Sequence, residues 1–198
     1  MPNREKPALR LDRHGWLQAA AGISLAPSPN HDERPPHQDA YLLVMHNISL
    51  PPGQFGGPEI IDFFQNRLDY GSHPWLERLR DMRVSAHFLI RRNGDIVQFV
   101  STHARAWHAG VSSFEDRERC NDFSIGIELE GTDTLPYADA QYSALQRLLP
   151  ALRARHPLKA VRGHEHIAPL RKTDPGVAFD WNRFRHENGI PWRYMPSQ

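Results

Sequence analysis

The chain has 198 residues, of which 39% are hydrophobic, 10% aromatic and 24% charged, enough apolar material for one domain with a real core; a disordered or fibrous chain is excluded. Twenty-four Lys and Arg against 23 Asp and Glu leave a formal charge of +1, without the basic excess that marks a nucleic-acid surface. The single cysteine, Cys120, rules out an internal disulfide and a Cys-rich zinc module, so any transition-metal site must draw on carboxylates and on the 12 histidines.

The opening MPNREKPALRLDRHGW has no apolar stretch of the roughly 7–15 residues that a signal peptide needs, and no window approaches the ~20 apolar residues of a membrane span. A cytoplasmic chain with no membrane partner is expected, laid out as an extension over 1–15, one domain over 16–190 and a tail over 191–198. Residues 26–39 are broken three times by proline and read as an extended wrapping segment. Residues 41–45 (YLLVM) read as a strand buried on both faces that ends at His46 and Asn47. A loop follows, then a helix over 58–68 with Pro58 in its first turn. Runs 86–91 and 95–100, joined by Arg92-Asn93-Gly94, form an antiparallel hairpin.

Residues 123–130 (FSIGIELE) alternate, with Phe123, Ile125, Ile127 and Leu129 toward the core and Ser124, Gly126, Glu128 and Glu130 toward a cleft. Leu145, Leu148, Leu149 and Leu152 mark an amphipathic helix over 139–155, which Pro150 kinks or shortens. A short strand over 159–163, the loop HEHIAPLRKTDPG and a short helix carrying Trp181 and Phe184 complete the chain. Strands interleaved with helices, one pair antiparallel, predict an α/β (α+β) fold with a central mixed β-sheet flanked by helices.

Three features carry potential chemistry: His46 at the end of a buried strand, Glu128 on the polar face of the alternating one, and the cluster His164-x-His166-x5-Lys172-x-Asp174. Catalytic zinc takes three His or carboxylate ligands and keeps a fourth position open, a count this set meets. Each residue also has an ordinary reading. A histidine closing an apolar strand can be a hydrogen-bonded core group, Asp-Pro-Gly is by default a turn, and Glu128, Glu130 and Lys172 can be solvated charges. His164 and His166 lie on one side of an extended segment, so either can be a ligand.

The strings VMHNISLPPGQFGGP, RVSAHFLIRRNGDIVQFV, RAWHAGVSSFEDRERCNDFSIGIELEGTDT and GHEHIAPLRKTDPG occur in an order that resembles the AmpD family of Gram-negative bacteria. These are cytoplasmic N-acetylmuramoyl-L-alanine amidases specific for 1,6-anhydro-muropeptides, of the amidase-2, peptidoglycan-recognition-protein-like fold. The likeness runs from about Trp16 to Phe184. It implies one zinc ion held by His46, His164 and Asp174, with Glu128 and Lys172 catalytic. His166 departs from the family, which usually carries Asp or Asn there. The implied reaction is hydrolysis of the amide between anhydro-N-acetylmuramic acid and L-alanine, in cell-wall recycling. Glu128 would move the proton and Lys172 would stabilise the oxyanion. Arg83 and Arg119 would clamp the carboxylates of the stem peptide, Asn47 would bond near the scissile amide, and Trp107 would stack on the sugar or belong to the core. The expected partner is a small-molecule muropeptide bound by a monomer, and loss of activity would derepress an inducible β-lactamase. Two other readings are a broad peptidoglycan amidase acting on intact wall and a non-catalytic peptidoglycan-binding protein of the same fold.

Overall fold

Residues 8–196 are described by the computed structural model. Its strands are β1 (Ile23–Leu25), β2 (His31–Glu33), β3 (Leu42–Ile48), β4 (Phe88–Ile90), β5 (Ile96–Gln98), β6 (Ala104–Ala106), β7 (Ser113–Phe114), β8 (Arg117–Glu118), β9 (Ser124–Glu130) and β10 (Ala160–Gly163). The α-helices are α1 (Glu59–Phe64), α2 (Asp139–Arg153), α3 (His164–Ile167) and α4 (Trp181–Glu187). Six strands form one mixed sheet in the order β1-β5-β4-β9-β3-β10. β4, β9, β3 and β10 run parallel, β5 turns back against β4, and β1 follows β5. The hairpin turn at Gly94 takes φ +84°, where glycine carries no Cβ penalty.

The period-two pattern of β9 divides the two faces of the sheet as expected from Ile125 onward, whereas Phe123 lies in the turn before the strand and packs with Leu42 and Val44 of the opposite face. Ile125, Ile127 and Leu129, with Leu43 and Met45 of β3, pack against Leu145, Leu148, Leu149 and Leu152 of α2 and Phe184 of α4. Each buried leucine there contributes roughly 1.5–3 kcal/mol relative to an exposed one. The opposite face carries Leu42, Val44 and His46 on β3 and Ser124, Gly126 and Glu128 on β9, and it forms the floor of the site.

Several expectations need correction. β3 continues past Met45 to Ile48, so His46 is inside the strand rather than at its end. α1 stops at Phe64, well short of residue 68, because Asn66 adopts φ +58°, a left-handed conformation that Asn tolerates and a helix does not. Pro150 lies inside α2, near its end, and the helix runs on to Arg153 at the loss of one backbone donor. The segment 26–39 is not wholly irregular. Between Pro29 and Pro35 it forms β2, which pairs antiparallel with β6. Leu9 and Leu11, before residue 16, and Met195, after residue 190, are buried in the same core as α2. Residues 1–7 and 197–198 of the expected extension and tail lie outside the described residues.

Candidate active site

The parallel alignment of β10, β3 and β9 brings three chemical groups into one row toward the carboxyl ends of the strands, the side on which open α/β sheets place their ligands. Gly163 pairs with Met45, so His164, the next residue, arrives beside His46. On the other side His46 pairs with Glu128. The loop after α3 folds back, with the Glu165 N–H donating to the Asp174 carbonyl at 3.0 Å, and brings the Asp174 carboxylate over the row.

His46 Nδ1, His164 Nδ1 and Asp174 Oδ2 face one another at 3.1, 2.9 and 3.1 Å. His46 and His164 are buried, and among the described residues this trio is the group of His, Cys, Asp or Glu whose ligand atoms converge. Burial, helped by neighbouring His164, lowers the His46 imidazole to about 4 in spite of Asp174. Burial works to raise the Asp174 carboxyl, but the His164 and His46 rings against it outweigh burial and hold it well below the usual carboxylate range. The trio is thus a cluster of electron-pair donors packed in a dry place, which a cation relieves. Ligand atoms about 2.0–2.1 Å from a tetrahedral Zn2+ stand about 3.3 Å apart, close to the observed triangle, and an N2O donor set suits that ion. The cluster is compatible with a metal site.

Glu128 is 9% exposed, and its Oε2 is buried without a hydrogen-bond partner. Burial first, then the Asp174 charge, raises its carboxyl well above the ordinary range, while Lys172 opposes them. Lys172, half-buried, lies on the same returning loop, and its charge also bears on His46. A carboxyl poised between acid and base, a nearby ammonium and a nest of metal-type donors form a hydrolytic constellation.

His166 is turned away. Residues 164–167 form a helical turn rather than an extended strand, so i and i+2 point to different sides. The His166 Nδ1 accepts the Gly163 N–H at 2.9 Å, and its ring packs edge-on against Trp181. Asn47 donates to Asp133 Oδ1 at 2.7 Å and to the Pro175 carbonyl at 3.1 Å, so its amide steadies the loop next to Asp174. Trp107 is half-buried beside His108, and its Nε1 has no partner. Arg119 is exposed and lines a groove of about 560 Å³ with Arg171, Val111 and Ile167. Arg83 is exposed, and its guanidinium donates to the carbonyls of Arg80 and Met82, which ties it to its own turn rather than to the His46 cluster. His108 touches His46 directly, Nδ1 to Nε2 at 2.9 Å.

A mixed sheet with a His-His-Asp cluster at the ends of its parallel strands agrees with the family comparison: the chain belongs to the N-acetylmuramoyl-L-alanine amidase family, whose profile matches residues 37–177. It is 58% identical over 173 residues to the 1,6-anhydro-N-acetylmuramyl-L-alanine amidase AmpD of Citrobacter freundii, covering 86% of this chain and 91% of the relative. The crystal structure of a Se-Met AmpD derivative superposes with a TM-score of 0.85 at 56% identity, covering 89% of this chain and 98% of that one. A complex of the amidase AmiD from E. coli with anhydro-N-acetylmuramic acid-L-Ala-D-gamma-Glu-L-Lys is similar with a TM-score of 0.56 at 28% identity, covering 92% of this chain and 66% of that one. The chain is accordingly an N-acetylmuramoyl-L-alanine amidase. Among the described residues no helix is long and apolar enough to cross a membrane.

Proposed function

We propose that the chain is a zinc-dependent amidase that cleaves the amide between the lactyl group of 1,6-anhydro-N-acetylmuramic acid and L-alanine in small muropeptides released during cell-wall turnover. The observation that carries this reading is the convergence of His46, His164 and Asp174 beside the unpartnered Oε2 of Glu128. His46, His164 and Asp174 would hold one Zn2+. When bound, that ion supplies Lewis acidity, bringing the pKa of a water down to about 7 and polarising a carbonyl.

Glu128 takes a proton from the attacking water and returns it to the L-alanine nitrogen as the C–N bond breaks, a task suited to a carboxyl raised by burial. Lys172 places its ammonium where the carbonyl oxygen gains negative charge. Arg119, in the groove next to Arg171, meets the carboxylates of the stem peptide, for which forked guanidinium donors are matched. Arg83, exposed and bonded to its own turn, would be a second contact of the same kind. Trp107 offers a ring face to the sugar, and Asn47 serves the scissile amide by steadying the Asp174 loop. His166 leaves the metal site undisturbed, since its ring is engaged by Gly163 and Trp181.

The reading includes a cytoplasmic monomer, which suits small soluble fragments, and a regulatory consequence, since unhydrolysed fragments would accumulate and derepress an inducible β-lactamase. The anhydro specificity rests on the 58% identity to a relative whose name carries it. Incubating the protein with anhydro-muramyl-tripeptide and, separately, with intact sacculi tests it. Peptide release from the soluble fragment alone is expected. Equal release from both would replace it with a broad wall amidase, and release from neither would favour a peptidoglycan binder.

A further inference from the structure

A neutral imidazole carries its proton on one of two nitrogens, and only the bare one can hold a metal. At His46 the choice has consequences. With the proton on Nδ1, the ring donates to Asp174 Oδ2, 2.9 Å away, and the trio collapses into a plain His–Asp hydrogen bond. With the proton on Nε2, Nδ1 is free to act as a ligand.

The hydrogen bonds behind His46 decide this. The Cys120 carbonyl can only accept, so the Ser124 hydroxyl donates to it at 2.5 Å. Ser124 Oγ, having spent its hydrogen, accepts from His108 Nε2 at 3.1 Å. A neutral His108 with its proton on Nε2 has a bare Nδ1, which accepts from His46 Nε2 at 2.9 Å. His46 Nδ1 is therefore bare and faces His164 and Asp174. His164 is set by the neighbouring residue, since its Nε2 donates to the Ala109 carbonyl at 3.0 Å. Asn121 Oδ1 holds both members of this dipeptide, accepting the N–H of His108 at 3.1 Å and of Ala109 at 2.8 Å. β9 is shaped for the arrangement as well. A Cβ on Gly126 would lie 2.5 Å from the His108 ring, so the strand alternates Ser124 to anchor the ring, Gly126 to admit it and Glu128 to face the site.

We infer that His108 is a positioning residue that, through Ser124, fixes the His46 tautomer, and that the dipeptide His108–Ala109 aims both histidines at one metal ion. This rests on the metal-site reading above. Partners of this kind typically change metal affinity 10–100-fold. The test measures zinc affinity against a chromophoric chelator for the wild type, His108→Leu, His108→Gln and Ser124→Ala, and reads ring proton positions by nitrogen-15 NMR of the wild type with and without zinc. His108→Leu keeps the volume but removes the acceptor, and should bind zinc 10–100-fold more weakly. His108→Gln restores an acceptor and a donor and should recover most of the affinity. Ser124→Ala should lose affinity in the same direction as His108→Leu, which keeps the test open if the leucine variant does not fold. In the wild type the His46 and His108 protons should sit on Nε2. Unchanged affinity in His108→Leu and Ser124→Ala, or a His46 proton on Nδ1, would overturn the inference. A wild type that binds no zinc would overturn the metal-site reading instead, while ring protons in the metal-free protein would still judge the relay.

Discussion

Glu128 and Glu130 point to the same side of β9, yet only one of them has its carboxylate satisfied. Glu130 accepts from the Gly56 N–H at 2.7 Å, the Arg92 N–H at 3.1 Å and the Arg91 guanidinium at 3.3 Å, whereas Glu128 keeps a buried oxygen without a partner. One is a structural anchor and the other is available for proton transfer. Glu128→Gln should keep full zinc content and lose turnover by about 10²–10⁴-fold. Glu130→Gln should cost about 1–3 kcal/mol of stability, with catalysis retained in the folded fraction. Metal analysis, turnover and thermal unfolding of the two variants separate these outcomes.

Lys172 opposes the upward shift of Glu128. In the metal-free protein, Lys172→Met should therefore raise the Glu128 carboxyl further, seen by carbon-13 NMR of the labelled side chain. In the zinc-loaded enzyme the same variant should lose on the order of 100-fold in kcat, the usual effect of removing an oxyanion-stabilising group. A Glu128 titration indifferent to Lys172 would place the ammonium too far away for that role.

Burial lowers the imidazoles of His46, to about 4, and of His87 and His108, well below their ordinary value. Unfolded histidine titrates near 6.5, so between those values the unfolded chain binds more protons than the folded one. Glu128, raised by burial, acts with the opposite sign over part of this window, but three imidazoles outnumber it, so the stability of the metal-free protein should fall as the pH drops from about 6.5 toward about 4. Urea midpoints across that window check this, and a flat profile would contradict it.

Gly176 follows Asp174 and Pro175 with φ +80°, and a Cβ there would lie 2.2 Å from the Asp133 Cα, a backbone atom that cannot yield. Gly176→Ala should add an overpacking cost of about 1–3 kcal/mol to the left-handed backbone penalty and, by displacing the Asp174 loop, weaken zinc binding about 10-fold or more. Gly53 is the control. Its φ of +76° is similar but nothing lies within 4 Å of an added Cβ, so Gly53→Ala should show only the backbone penalty of roughly 1–2 kcal/mol and unchanged zinc affinity.

The features written in local patterns were legible from residues alone: the alternation of β9, the Asn-Gly hairpin, the leucine stripe of α2. The strings around His46, Glu128, His164 and Asp174 pointed to the residues that the fold brings together. What was hidden depends on partners far along the chain. β1 and β2 are three residues each and exist because β5 and β6 pair with them, which leaves no periodicity to read. Glu128 and Glu130 are the same residue type at period two, and only Gly56, Arg91 and Arg92 tell them apart. His166 was ambiguous because a single helical turn, rather than an extended segment, decides where its ring points. The part played by His108 required Ser124 and Asn121 to be placed around it.

The most direct test of the central claim is cleavage of anhydro-muramyl-tripeptide by the purified protein as isolated, after chelation, and after zinc is returned, followed by mass analysis of the products. Free tripeptide and anhydro-N-acetylmuramic acid are expected in the first and third samples and intact substrate in the second. Equal release in the chelated sample, with its zinc content shown to be nil, would contradict a zinc centre at His46, His164 and Asp174.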